Sequence, residues 1–389
     1  MIRHLATLAL LLSGAAPLAA QSFDTRASAA YVLDYTTGVV LLEKNAQEPL
    51  PPASMSKLMT LYMAFEAIAN GQLNIDDRMG VSQFCANYAG STMFLDTTDR
   101  VRVEDLLRGV IVLSGNDASC VIAEGISGSE NLFARQMTIR ARELGMMNST
   151  FINSNGWPAV GHRMSLEDLG ILANRLIADF PTFYPLFAEE SFAFDGRAPA
   201  NVNNRNPLLG MVEGADGLKT GHTEEAGYGL VGSARQGDRR IIFVLAGLDS
   251  EQARAEESRN IANWAFRQFA ERQLGTAGTR IAQADVWMGE AATIGMTLQE
   301  DLTLLVPVSG TDAVSAEAVF DSPIEAPIAE GDQIGELVIR LRDLPERRVP
   351  LIAETSVAQG GFQSQLQRAA NVLIAKVRGD VADAPVVAQ

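Results

Sequence analysis

Pro51-Pro52-Ala53-Ser54-Met55-Ser56-Lys57-Leu58-Met59-Thr60-Leu61-Tyr62-Met63-Ala64-Phe65 carries the reading from which the rest of the chain follows. The two prolines end an extended segment, and Ser54 to Asn70 reads as a helix stopped by Asn70-Gly71. Its apolar residues (Leu58, Met59, Leu61, Met63, Phe65, Ile68) lie nearly all round, so the helix is expected to be buried within a domain. Lys57 is the exception in it, a charge three residues after a serine on the same helical face.

On either side of this helix the pattern is extended. Ala29 to Asp34 and Gly38 to Leu42 read as two strands joined by a Thr-Thr-Gly turn. Far downstream, Tyr228 to Ala234 and Arg240 to Leu248 read as two more, followed by a helix from about Glu251 to Arg272 with Ile261, Trp264, Ala265 and Phe269 on one face. Strands at both ends with helices between them predict one antiparallel sheet covered by helices, an α+β domain over residues 21–275.

Composition changes near Gly275-Thr276. Short β-like runs such as Leu302 to Val308 and Leu337 to Leu341, punctuated by Pro307, Pro323, Pro327 and Gly331, predict a small all-β domain over 276–355. In the remaining 356–389, Phe362, Leu366, Ala369, Leu373 and Val377 recur at helical spacing between Gly361 and Gly379, with Arg368, Lys376 and Arg378 and no acid. A basic amphipathic helix on a chain of net charge −16 suits an anionic membrane surface; the plainer reading is a helix docked on the β domain. At the other end, Arg3 and His4, the apolar run Leu5 to Leu12 and Ala19-Ala20 read as a secretory signal peptide over residues 1–20. The rival, an uncleaved anchor, has too short an apolar stretch.

The chain has 389 residues, 47% hydrophobic and 20% charged, which is globular composition. Its acidity argues against nucleic acid as a partner. Two cysteines do not make a disulfide scaffold; spacing leaves the pairing of Cys85 with Cys120 open, and free, partly buried thiols are the expectation.

Chemistry enters with three motifs taken together: Ser54-Met55-Ser56-Lys57, Ser114-Gly115-Asn116 and Lys219-Thr220-Gly221. A serine hydroxyl needs a base to become a nucleophile. An amine serves only if much of it is neutral, which burial and a neighbouring cation such as Lys219 both favour. Ser54 at a helix N-terminus would also meet backbone N–H groups that favour an oxyanion. The bland alternative makes Ser54 an N-cap and Lys57 a snorkelling surface residue. The glycine of the second motif lets a turn present Ser114, a second hydroxyl able to relay a proton, and Asn116, an amide able to orient Lys57 and a substrate peptide; alone it is an ordinary turn. In Asp216-Gly217-Leu218-Lys219-Thr220-Gly221-His222-Thr223 the glycines, Gly221 among them, let a substrate backbone approach. Lys219 and Thr220 suit a terminal carboxylate, and the N–H of His222 can face that of Ser54. A solvated edge strand with an exposed lysine is the rival there.

In this order the motifs resemble those of the penicillin-binding serine DD-peptidases, and best the low-molecular-mass D-alanyl-D-alanine carboxypeptidases. Similarity extends through Asp117-Ala118, His222-Thr223, Ala226-Gly227-Tyr228, Phe151-x-Asn153-x-x-Gly156 and His162-x-Met164-Ser165, and the β domain with its following helix matches that family's layout. The resemblance implies a penicillin-binding/β-lactamase-like catalytic domain. It also implies that Ser54 attacks the penultimate D-alanine carbonyl of a peptidoglycan stem peptide with Lys57 as general base, the N–H groups of Ser54 and His222 holding the oxyanion. Ser114 would pass the proton to the departing D-alanine, Asn116 position the substrate, and Lys219 with Thr220 bind its carboxylate. Water would then release the acyl group, and a β-lactam would acylate Ser54 and leave slowly. Two departures stand out: Ser119 intervenes before Cys120 where the family often has Cys directly after Asp-Ala, and Trp157-Pro158 replaces a more usual aliphatic residue.

Other hydrolase patterns fit less well. Beyond the leader only His162 and His222 remain, and neither His-Glu-x-x-His nor Gly-x-Ser-x-Gly occurs. No metal or other cofactor is expected. A β-lactamase shares the motifs but not the second domain and tail. A DD-endopeptidase of cross-links and a non-catalytic wall scaffold are the remaining alternatives. The expected enzyme is exported, periplasmic and peripherally attached to the inner membrane by its C-terminal helix.

Overall fold

The computed structural model describes residues 2–3, 6–7, 23–308, 314–341 and 346–361. The chain forms two compact units, Ser22–Arg267 and a second made of Met1–Gln21 with Gln268–Gln389. Within residues 1–20, β1 (Ile2–Arg3) and β2 (Ala6–Thr7) are described; the rest of that segment lies outside the described residues.

In the first unit, β3 (Ala29–Asp34) and β4 (Val39–Lys44) form the expected hairpin, with Gly38 at φ +71° in the turn. The run Ala53–Ser56 is one 3₁₀ turn, and α1 (Lys57–Ala69) begins directly on Lys57. The helix ends where Gly71, at φ +72°, donates back to the Ile68 carbonyl. Leu58, Met59, Leu61 and Phe65 are fully buried as expected, each contributing about 1.5–3 kcal/mol of burial free energy, while Met63 and Ile68 are only half-buried. After the short pair β5 (Arg78–Gly80) and β6 (Arg100–Arg102), with α2 (Gln83–Ala86) between them, come α3 (Val103–Ile111), α4 (Asn116–Ser127), α5 (Glu130–Glu143) and α6 (Leu166–Asp179). Then β7 (Ala215–Thr223), β8 (Gly227–Gln236) and β9 (Arg239–Leu248) complete a five-stranded antiparallel sheet in the order β4-β3-β9-β8-β7. Strands from the two ends of the unit meet where β3 pairs with β9, Val32 opposite Phe243. Such pairing joins residues some 210 positions apart, which is why local pattern alone could suggest the sheet but not its order.

Helix α7 (Glu251–Gln268) stops four residues before the predicted end, because Phe269–Gly275 is strand β10 of the second unit. That strand pairs with β13 (Leu302–Pro307). The larger sheet runs β16-β11-β12-β18-β17-β14-β2, from β11 (Arg280–Trp287), β12 (Thr293–Leu298), β14 (Val314–Val319), β16 (Ile324–Glu325), β17 (Gln333–Leu341) and β18 (Arg347–Ala353). The two-residue β15 (Asp321–Ser322) pairs with β1. Met296, Leu298, Leu304, Ile339 and Leu351 form its core. Among the described residues the unit is all-β, as its composition indicated. Of the predicted amphipathic helix, everything after Gly361 lies outside the described residues.

The cysteine expectation is corrected. Cys85 and Cys120 form a disulfide, both fully buried. The helical turn α2 packs on α4 with their Cα atoms 5.4 Å apart, within disulfide reach; a separation of 35 in sequence does not reveal that approach.

Candidate functional site

Ser54 sits in the 3₁₀ turn immediately before α1 and caps nothing; no side-chain cap bond closes either helical start. Ala53, just before it, holds φ at +47°, a left-handed conformation unusual for a residue with a side chain. Two glycines make room for this turn. A Cβ on Gly156 would fall 1.8 Å from the Ala53 carbonyl oxygen, and one on Gly221 would lie 3.0 Å from that of Pro52. Strand β7 and the segment around Gly156 therefore both pack against the Ser54 turn.

Lys57 is wholly buried, not a snorkelling surface residue. Its Nζ lies 2.8 Å from Ser54 Oγ, 2.7 Å from Asn116 Oδ1 and 2.7 Å from the Asn155 carbonyl oxygen. Desolvation, then the positive charges of Lys219 and Arg205, hold its pKa well below the ordinary lysine value. The two amide-type oxygens can only accept, so each takes an N–H from Lys57. In the neutral amine they take both N–H groups, and the lone pair is left facing Ser54 Oγ–H.

Asn116 is itself fixed by its whole amide. Its Nδ2 donates to the Ala89 carbonyl at 2.7 Å and its backbone N–H to that of Ser91 at 2.7 Å, so Oδ1 must face Lys57. Ser114, at φ +60° and 2% exposed, forms the strained turn between α3 and α4. The nearby acids are turned elsewhere. Asp117 accepts from the backbone N–H groups of Met93, Leu95 and Ala118, and Glu130 from Ser154 and Tyr88.

Strand β7 is the sheet edge, yet Lys219 is 3% exposed, not solvated. Burial, followed by the charges of Arg205 and Arg254, lowers its pKa to about 7. Thr220 is buried beside it, and His222 stacks on Tyr228 at 3.8 Å between ring centroids. The residues singled out in the sequence thus lie on the Ser54 turn, the α3–α4 turn and β7; Lys57 joins the first two through Ser54 and Asn116, and Gly221 packs β7 against Pro52 and Ala53. Sequence reading missed the two arginines. Arg205 holds Ser91 Oγ, and Arg254 lies over the Tyr228 ring with a buried Nε that finds no hydrogen-bond partner among the described residues. Neither belongs to a motif, and both arrive from loops or helices distant in sequence. The Asn155 carbonyl was missed for a simpler reason: a main-chain acceptor leaves no mark on residue type.

His162 braces the turn from below. It accepts the Ile152 N–H at Nδ1 (3.3 Å), which leaves Nε2–H to donate to Ser56 Oγ at 3.0 Å. Burial, with the charges of Lys57 and Arg163, keeps it neutral down to a pKa of about 4.

A family model described as D-alanyl-D-alanine carboxypeptidase, peptidase S11, matches residues 16–250. The chain belongs to this family of serine D-alanyl-D-alanine carboxypeptidases. A second model, the C-terminal domain of penicillin-binding protein 5, matches residues 269–359. Among similar proteins of the carboxypeptidase family, DacD of Salmonella typhimurium is 35% identical over 348 residues, 87% of this chain and 88% of that one. The crystal structure of DacD from Francisella tularensis aligns with a TM-score of 0.78 and 27% identity, covering 89% of this chain and 97% of that one. Penicillin-binding protein D2 from Listeria monocytogenes, solved in its ampicillin-bound form, aligns with a TM-score of 0.57 and 29% identity over 63% of this chain and 98% of its own. The two models together span both units, and the first contains all three motifs, with Lys57 buried and Ser54 half-buried.

Proposed function

We propose that this protein removes the terminal D-alanine from peptidoglycan stem peptides through an acyl-enzyme on Ser54. One observation carries the reading: the Lys57 nitrogen, buried and with two oxygens to occupy its N–H groups, has its remaining position directed at Ser54 Oγ. Ser54 Oγ attacks the carbonyl carbon of the penultimate D-alanine while its proton moves to Lys57 Nζ. The N–H groups of Ser54 and His222 receive the oxyanion. As the C–N bond breaks, a proton passes by way of Ser114 to the departing D-alanine amine. Water, deprotonated by Lys57, then cleaves the ester and restores Ser54. Asn116 orients both Lys57 and the substrate amide.

The terminal carboxylate goes to Lys219 and Thr220, with Arg205 and Arg254 adding charge. Glu251 reaches Arg254 only at 4.0 Å and from solvent, which leaves this group of cations, with Lys219 and Arg254 buried, open to an anion. A β-lactam would open on Ser54 by the same attack, its amine remaining tethered and impeding water. Purified protein should release free D-alanine from a pentapeptide, and Ser54→Ala should not. Absence of release from the wild-type protein, or of a covalent penicillin adduct on Ser54, would overturn the reading.

Export to the periplasm and peripheral membrane attachment belong to the same proposal. The leader pattern and a buried disulfide, which suits an oxidising compartment, support the first; the basic amphipathic pattern of Gly361–Gly379 supports the second. Among the described residues no helix is long and apolar enough to cross a membrane. Deleting the chain from Gly361 should free the protein from membranes and leave cleavage of a soluble peptide intact; loss of that cleavage would make the segment structural.

A further inference from the structure

We propose that the Cys85–Cys120 disulfide is a positioning cross-link for Asn116, and through it for Lys57. Cys120 lies four residues after Asn116 on α4, one helical turn away. Cys85 lies on α2, directly before the segment that holds the Asn116 amide. That segment, from Asn87 to Leu95, has no helix or strand of its own. It is held to the start of α4 by bonds from Asn116 Nδ2 to Ala89 and from Asn116 N–H to Ser91, and by the Met93 and Leu95 N–H groups on the Asp117 carboxylate. Gly90 sits at its centre at φ +81°, where a Cβ would lie 3.3 Å from Asn116 Nδ2.

The two sulfurs therefore clamp the segment at the point where it leaves α2 and passes onto α4. Asn116 chooses its orientation by where Nδ2 finds an acceptor. With the Ala89 carbonyl in place, Oδ1 faces Lys57. If the segment drifts, the amide can turn and offer Nδ2–H to the lone pair of the neutral lysine, in competition with Ser54 Oγ–H. The base is then diverted from the nucleophile, and its neutral form is favoured further.

This inference rests on Lys57 acting as the base for Ser54, so the test carries its own control. In the full chain, Cys85→Ala with Cys120→Ala should lower kcat for D-alanine release about tenfold with little change in KM. The acid limb of the kcat/KM profile should move to lower pH. In an Asn116→Ala background, removing the disulfide should change kcat less than about twofold, since the residue it positions is gone. A purely stabilising cross-link would lower Tm and leave kcat and the acid limb as in the wild type, or cost the same in both backgrounds; either result overturns the proposal. If the double alanine variant does not fold, Cys85→Val with Cys120→Ala, which refills most of the vacated volume, gives the same comparison. Retained D-alanine release by Ser54→Ala would instead refute the site assignment itself.

Discussion

Glu130 grips Ser154 twice, accepting its N–H at 3.0 Å and its hydroxyl at 2.5 Å, both at one carboxylate oxygen. The other oxygen takes the Tyr88 hydroxyl at 2.5 Å. Ser154 in turn offers its carbonyl to Thr60 on α1, and the next carbonyl, that of Asn155, receives Lys57. A carboxylate outside all three motifs thus sets the acceptor for the base. Glu130→Ala leaves three donors without their partner, each costing about 1–3 kcal/mol where it stays buried. The expected result is a lower Tm together with a kcat loss larger than the change in KM. Unchanged kcat in folded protein would show that the Asn155 carbonyl keeps its place unaided.

Lys57 and Lys219 must differ in charge at the working pH, and burial depresses both. Lys57 has to be neutral to accept a proton, so kcat/KM rises as pH climbs through its lowered pKa. Lys219 has to be charged to hold a carboxylate, so kcat/KM falls as pH passes about 7. Bound carboxylate favours the charged form, and the alkaline limb of kcat should therefore lie at higher pH than that of kcat/KM. Lys219→Gln should raise KM and flatten the alkaline limb. Persistence of that limb in the variant would assign it to another group.

The Lys219 ammonium also affects stability. Its folded pKa of about 7 lies below the ordinary lysine value of 10.5, so between these values the unfolded chain binds more protons. This group's contribution to stability rises with pH across that window. A substrate-like carboxylate reverses part of the penalty below pH 7. Thermal unfolding with and without a D-alanyl-D-alanine ligand, in Ser54→Ala protein, should show the larger ligand-induced rise in Tm at pH 6 than at pH 9.

Arg254, on α7, has a buried Nε in need of an acceptor, which the proposed substrate carboxylate would provide. Arg254→Ala should raise KM for a peptide ending in a free carboxylate by a factor of about 10–100, as expected for a charge-assisted hydrogen bond of roughly 1.5–3 kcal/mol. With an ester of the same peptide the effect should shrink to a few-fold. Equal effects on both would mean that the guanidinium shapes the cleft and does not read the carboxylate.

Gly156 carries a different constraint. At φ +80°, with the Ala53 carbonyl where its Cβ would stand, it cannot take a side chain without moving the nucleophile turn. Gly156→Ala is expected to abolish penicillin acylation and to lower Tm by several degrees. Wild-type acylation in this variant would show the turn to be more yielding than its packing indicates.

Much of this was legible in the sequence where residue type alone carries the constraint. The apolar circumference of α1 required burial, and Asn70-Gly71 marked its end. Alternating and continuous apolar runs located the main strands. What escaped were features whose cause lies in another segment. The fate of Cys85 and Cys120 depended on how α2 packs on α4. The end of α7 at Gln268 followed from Phe269 joining a strand in the second unit. Arg205 and Arg254 carry no mark in the sequence; folding buries Arg254, leaves Arg205 exposed, and brings both charges to bear on Lys219.

By itself, then, the sequence determined which side chains are available: a serine and lysine on one helical face, a serine–glycine–asparagine turn and a lysine on a glycine-flanked strand. Tertiary structure alone decided the protonation state and aim of the base. A lysine becomes a neutral acceptor only when water is removed, other cations are brought near and its N–H groups are occupied. For Lys57 those conditions come from Asn116, Asn155, Lys219 and Arg205, which meet it across about 60 to 160 positions of chain.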